Sequence, residues 1–141
     1  MKLYKRELIG LGLGSIAALA LPALPAFAEG DKAAARIKDF AGGKEPATGK
    51  VALTTPEIAE NGNTVPVEFE AEGATSVVIF ASGNPNPGVA TFHFGALAPS
   101  AASTRIRLAG TQDLVAIAQM ADGSYARATR NVKVTIGGCG G

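Results

Sequence analysis

One cysteine dominates the chemistry this sequence can perform. It stands in the run Gly137, Gly138, Cys139, Gly140, Gly141, directly after Val132, Lys133, Val134, Thr135, Ile136, an alternating segment that reads as a β-strand. The thiolate form of cysteine is the nucleophile of disulfide formation and exchange. On an exposed tail in an oxidising compartment such a thiol is a liability, because it oxidises or couples to other chains. The four surrounding glycines remove side-chain bulk and widen backbone freedom. From Ile136 to Cys139 the segment reaches at most ~10 Å when extended. Two uses fit these residues. The arm can place one sulfur in a narrow cleft of another protein, holding cargo as a persulfide or thiosulfonate-like adduct. Alternatively, the tail of a secreted adhesion or structural domain can tie two copies together through a disulfide. The flanking glycines bring no activating charge, so the active sites that receive the thiol are expected to activate it.

The remaining candidates are weaker. His93 lies in the run Val89 to Ala96, sharing a face with Thr91 and opposite Ala90, Phe92, Phe94 and Ala96. A general base needs a nucleophile or carboxylate alongside it, and the sequence places none there. Glu57 with Glu60 and Glu68 with Glu70 have the composition of an acid/base couple, but nothing else supports that role, and they read as solvated charge. A single His and a single Cys cannot supply the four ligands of a structural zinc site. No catalytic residue, metal or cofactor is therefore expected, apart from whatever is carried covalently on Cys139.

The frame around that thiol follows from composition. The chain has 141 residues, 47% apolar and 18% charged, which fits one domain able to bury its own core. The formal charge of +1 and the lack of a Lys/Arg stripe exclude the usual nucleic-acid binder. Residues 1–28 read as an export signal. Lys2, Lys5 and Arg6 start it, Leu8 to Leu21 form its apolar run, and Ala26, Phe27, Ala28 form the small-x-small cleavage site. That run is too short for the ~20 residues a spanning helix needs. Tyr4, Lys5, Arg6, Glu7, Leu8, Ile9 also resembles a twin-arginine signal whose first Arg has become Lys. The expected compartment is periplasmic or extracellular. Removing the signal's three basic and one acidic residues leaves 10 basic against 11 acidic, so neither nucleic acid nor membrane is an expected partner.

The mature chain divides into residues 29–49 (helix and linker), 50–136 (sandwich) and 137–141 (arm). A helix is expected over Asp31 to Ala41, capped by Asp31 and stopped by Gly42 and Gly43, with Ala33, Ile37 and Phe40 or Ala41 on one stripe. Seven strands are expected near Val51–Leu53, Thr64–Ala71, Thr75–Ala81, Val89–Leu97, Thr104–Ala109, Leu114–Ala121 and Tyr125–Ile136. Asn61-Gly62, Glu72-Gly73, Ala109-Gly110 and Asp122-Gly123 punctuate them. This is a mainly β chain, read as a seven-stranded antiparallel immunoglobulin-like sandwich with a short N-terminal helix and a flexible C-terminal arm. Pro66 restricts its strand to an edge, or to a position where no ladder N–H is needed. Ser76 to Phe80 and Leu114 to Met120 are apolar on both faces. Either both faces are covered within the fold or one is an interface, and a partner subunit is the slightly favoured cover. Gly83 to Gly88, with Asn84, Pro85, Asn86 and Pro87, forms a stiff loop that serves as a connection or a contact surface.

The tail Val132 to Gly141 resembles the SoxY family, sulfur-carrying subunits of a periplasmic thiosulfate-oxidising system, whose hallmark is a terminal Gly-Gly-Cys-Gly-Gly after a strand. The likeness extends through Pro56 to Gly62, Val65 to Val67, Asn84 to Pro87, Val89, Ala90 and Thr104 to Ala109. It implies a non-catalytic carrier with Cys139 as the attachment point on an arm of Gly137, Gly138, Gly140 and Gly141, paired with a SoxZ-like subunit. It also implies visits by a heme-containing enzyme that couples thiosulfate to the thiol, a hydrolase that releases sulfate, and a sulfane-oxidising enzyme.

Overall fold

The computed structural model describes residues 29–138. The segment read as an export signal and Cys139, Gly140 and Gly141 lie outside that range. Helix α1 (Glu29–Phe40) is followed by nine strands: β1 (Ala47–Thr48), β2 (Ala52–Thr54), β3 (Ile58–Ala59), β4 (Val65–Glu70), β5 (Ala74–Ala81), β6 (Gly88–His93), β7 (Ala101–Ile106), β8 (Gln112–Met120) and β9 (Tyr125–Val134). One sheet runs β1-β9-β8-β5-β6, with β3 also on β9, and the second runs β2-β4-β7. The seven expected strands are all present as an immunoglobulin-like sandwich. The additions are β1 and β3, each two residues long and parallel to β9 at opposite ends of it.

Local chemistry sets the boundaries. The helix stops in a Schellman arrangement: Gly42 takes φ +60, its N–H donates to Asp39 O, and Gly43 N–H donates to Lys38 O. Strand β7 begins at Ala101, three residues before the expected Thr104, because Phe69 and Glu70 of β4 pair with Ala102 and Ala101. Strand β6 ends at His93, and after Phe94 N–H reaches Thr75 O the chain turns, with Ala98 N–H on Gly95 O. Pro66 lies in the middle strand of its sheet, yet β2 pairs with β4 only as far as Glu68. No ladder N–H is needed from Pro66 on that side.

Between the sheets, Val65, Val67, Phe69 and Ile106 meet Val77, Ile79, Leu114, Ala116 and Ala118. The opposite faces of β5 and β8 make a second cluster. Val78, Phe80, Val115 and Ile117 are covered by Ile37 of α1, with Phe40 and Tyr125 beside them in an edge-on ring contact of 5.7 Å. The cover for the doubly apolar strands is therefore the chain's own helix, and the partner subunit favoured from the strand pattern is not needed to bury this stripe. The expected helical stripe of Ala33, Ile37 and Ala41 is the buried one.

Candidate functional site

The site is the place where β9 hands the chain to the glycine arm. Three backbone segments converge there, and the last residues before Cys139 are threaded among them. Lys133 N–H donates to Glu57 O and Thr135 N–H to Ala59 O, so β3 escorts the end of β9. The Thr135 hydroxyl donates to Glu60 O at 2.9 Å. Beyond Thr135 the contacts become a ring. Gly62 N–H donates to Ile136 O at 2.7 Å, Leu108 N–H donates to Gly62 O at 2.7 Å, and Gly138 N–H donates to Leu108 O at 2.8 Å.

This ring depends on the lack of side chains. A β-carbon on Gly62 would collide with Leu108 O and stand 2.7 Å from Gly138 N and 2.9 Å from Val134 Cγ1. One on Gly137 would collide with Ala109 O, and one on Gly138 would stand 2.8 Å from Gly62 O. Glycine here serves close backbone approach. The free tether expected from Ile136 onward is thus docked as far as Gly138, because two glycines let its backbone lie against two loops.

A buried polar cluster holds the loop that receives the arm. Asn84, 2% exposed, donates through Nδ2 to Arg107 O at 2.8 Å, and its Oδ1 accepts from Ala109 N–H and Gln112 Nε2, both at 2.9 Å. Gln112 Nε2 also donates to Gly110 O, and its Oε1 accepts from Gly83 N–H at 2.8 Å. Thr111 Oγ1 accepts from Val134 N–H at 3.0 Å. The stiff loop containing Asn84 therefore works as an internal brace behind residues 107–112. Sequence reading missed Asn84 and Gln112 as part of the site. The available signal was an Asn-Pro-Asn-Pro run beside a strand that opens with Gln112.

The other candidates stand apart from the arm. His93 is exposed at the end of edge strand β6, opposite Ser76. Glu57, Glu60, Glu68 and Glu70 are exposed; only the carbonyls of Glu57 and Glu60 touch the arm's root. Among the described residues no group of three His, Cys, Asp or Glu is placed to hold a metal ion. No helix among them is long and apolar enough to cross a membrane. A groove of about 460 Å³ between α1 and the sheet, lined by Ala33, Ile37, Lys44, Asp113 and Arg127 among others, shares no residue with the arm's bed. Gly137 and Gly138 are seen in place, while Cys139, Gly140 and Gly141 fall outside the described residues.

Fold and site together define a class: a small immunoglobulin-like sandwich whose last strand leads into a glycine-docked arm bearing one cysteine. The model of the sulfur oxidation protein SoxY family matches residues 37–139, and the chain belongs to that family. Among solved structures it is similar to the sulfur carrier protein SoxY from Chlorobium limicola f thiosulfatophilum. The two are 38% identical with a TM-score of 0.64, over 74% of this chain and 97% of that one. Two variant forms of a superoxide reductase (neelaredoxin) from Ignicoccus hospitalis share the fold at 18% identity, with TM-scores of 0.55 and 0.54. They cover 62% and 68% of this chain and 82% and 90% of theirs. No curated protein gives a match.

Proposed function

We propose that this chain is a periplasmic carrier of sulfur intermediates in thiosulfate oxidation, with Cys139 as the attachment point and no catalysis of its own. The observation that carries the reading is the site's build. A SoxY-family sandwich, matched through residue 139, delivers a cysteine on glycines that are docked up to the residue before it. Ile58 on β3 beside the arm and Ile136 at the arm's own root, 59% and 67% exposed, offer apolar contact to visiting enzymes.

The chemistry on the thiol balances as follows. The Cys139 thiol loses its proton and joins the terminal sulfur of thiosulfate. The two electrons released as this S–S bond forms pass to a heme-containing partner. Hydrolysis then adds water across the bond to the sulfonate: sulfate leaves with the water's oxygen, and a persulfide remains on Cys139. A sulfane-oxidising partner acts on that persulfide. A SoxZ-like subunit is the expected permanent companion.

The test is mass spectrometry of protein from cells supplied with thiosulfate. Adducts at Cys139 in whole multiples of sulfur, with or without sulfonate, are expected, together with loss of thiosulfate-dependent turnover in Cys139→Ser. Retained turnover in that variant, or a stable disulfide-linked pair of chains as the working form, would overturn the reading.

A further inference from the structure

We propose that Gly62, 74 residues before Ile136 in the chain, acts as the positioning residue of the arm through its backbone bonds to Ile136 and Leu108.

 Past the end of β9 at Val134, Gly138 N–H meets Leu108 O, and Gly62 bonds to both sides of that meeting, to Ile136 O and to Leu108 N–H. It contributes no side chain to either apolar cluster. What it contributes is a buried backbone: an N–H held by Ile136 O, a carbonyl held by Leu108 N–H, and the empty space into which Gly138 fits. The inference rests on the carrier reading for its purpose, but its geometry stands on residues 62, 108 and 136–138 alone.

The consequence is a defined pivot. With Gly138 docked, Cys139 follows one peptide later, about 3.8 Å between Cα atoms. The chain beyond Gly138 therefore starts from one fixed backbone point. With the ring open, the last tie is Thr135 N–H on Ala59 O. The tether then lengthens by three residues, roughly 10 Å when extended, and must be ordered afresh each time it enters a partner's cleft. Docking lowers that ordering cost, which is how preorganisation strengthens binding. Gly62 acts through Ile136 and Gly138 and touches no sulfur.

The test uses the full mature chain. Amide hydrogen exchange of Gly138 is expected to be slowed about tenfold or more relative to an unstructured glycine, as for a backbone bond that opens locally. Gly62→Ala removes that protection while the amides of Val77 and Ile117 keep theirs. Gly137→Ala, whose new β-carbon meets Ala109 O at the chain's end, does the same even where Gly62→Ala fails to fold. Gly110→Ala, in the same loop but with open space around it, leaves the protection unchanged. In the thiosulfate-coupling assay with the partner oxidase, Gly62→Ala raises KM severalfold, with kcat and alkylation of Cys139 by iodoacetamide unchanged. A Gly138 amide exchanging at the unstructured rate in the unaltered chain, protection surviving Gly137→Ala, or an unchanged KM in folded Gly62→Ala would each overturn the proposal. Absence of any sulfur adduct on Cys139 would instead defeat the carrier reading, with the exchange results still reporting the docked root.

Discussion

Asn84 illustrates how much one side chain can hold in place. Its amide, itself buried, satisfies Arg107 O, Ala109 N–H and Gln112 at once. Replacing it with alanine takes that partner from the half-buried Arg107 carbonyl and Ala109 N–H and from the buried Gln112 amide, a loss of about 2 kcal/mol by the usual cost of such groups. Urea unfolding of Asn84→Ala should show a drop of that order, and an unchanged midpoint would refute the brace. A second residue-scale prediction concerns Asp122 in the β8–β9 turn. The Ser124 hydroxyl, and after it the Ser124 N–H, donate to its carboxylate and hold its pKa below the usual value of 3.8. The turn's contribution is therefore complete at neutral pH and is lost as the pH falls through the lowered pKa. The Ser124 amide resonance should titrate with a midpoint under 3.8; a midpoint above it would show that the bond does not favour the ionised form.

At the scale of elements, α1 and the outer face of β5 and β8 make each other necessary. Val78, Phe80, Val115 and Ile117 would form a bare apolar stripe without the helix, and a short helix of this length has little stability of its own in water. Ile37 is the residue that enters the stripe, being 8% exposed. Ile37→Ala should lower stability by about 2 kcal/mol, near the low end for truncating a buried aliphatic side chain. Chemical denaturation measures this, and a negligible change would mean that α1 rests on the sheet without stabilising it. The alternation of β4, with Val65, Val67 and Phe69 inward and Glu68 and Glu70 outward, was legible in the sequence because one face of that strand is wet. The cover over β5 and β8 was not legible, because a strand apolar on both faces carries the same pattern whether a helix or another subunit lies against it.

In the whole molecule, the two sheets pack around one core, and the proposed attachment residue follows the described residues in the chain. Cys139 follows the last backbone hydrogen bond of the described chain, Gly138 to Leu108. Cys139→Ser should therefore leave the unfolding midpoint within about 0.5 kcal/mol of the unaltered protein, as expected for a substitution outside the packed fold. The same variant should carry no sulfur adduct. A large loss of stability would place the thiol within the folded structure and count against an arm.

The sequence by itself determined the strand series, the turn residues, the amphipathic helix and the lone cysteine among glycines. Each of these depends on neighbours a few residues away, through period, propensity and composition. Only the tertiary structure decided that α1 closes the second apolar face, that Asn84 turns inward to brace residues 107–112, and that Gly137 and Gly138 dock against Gly62 and Leu108. Those contacts join residues far apart in the chain, and a glycine needed for close packing is spelled the same way as a glycine needed for freedom.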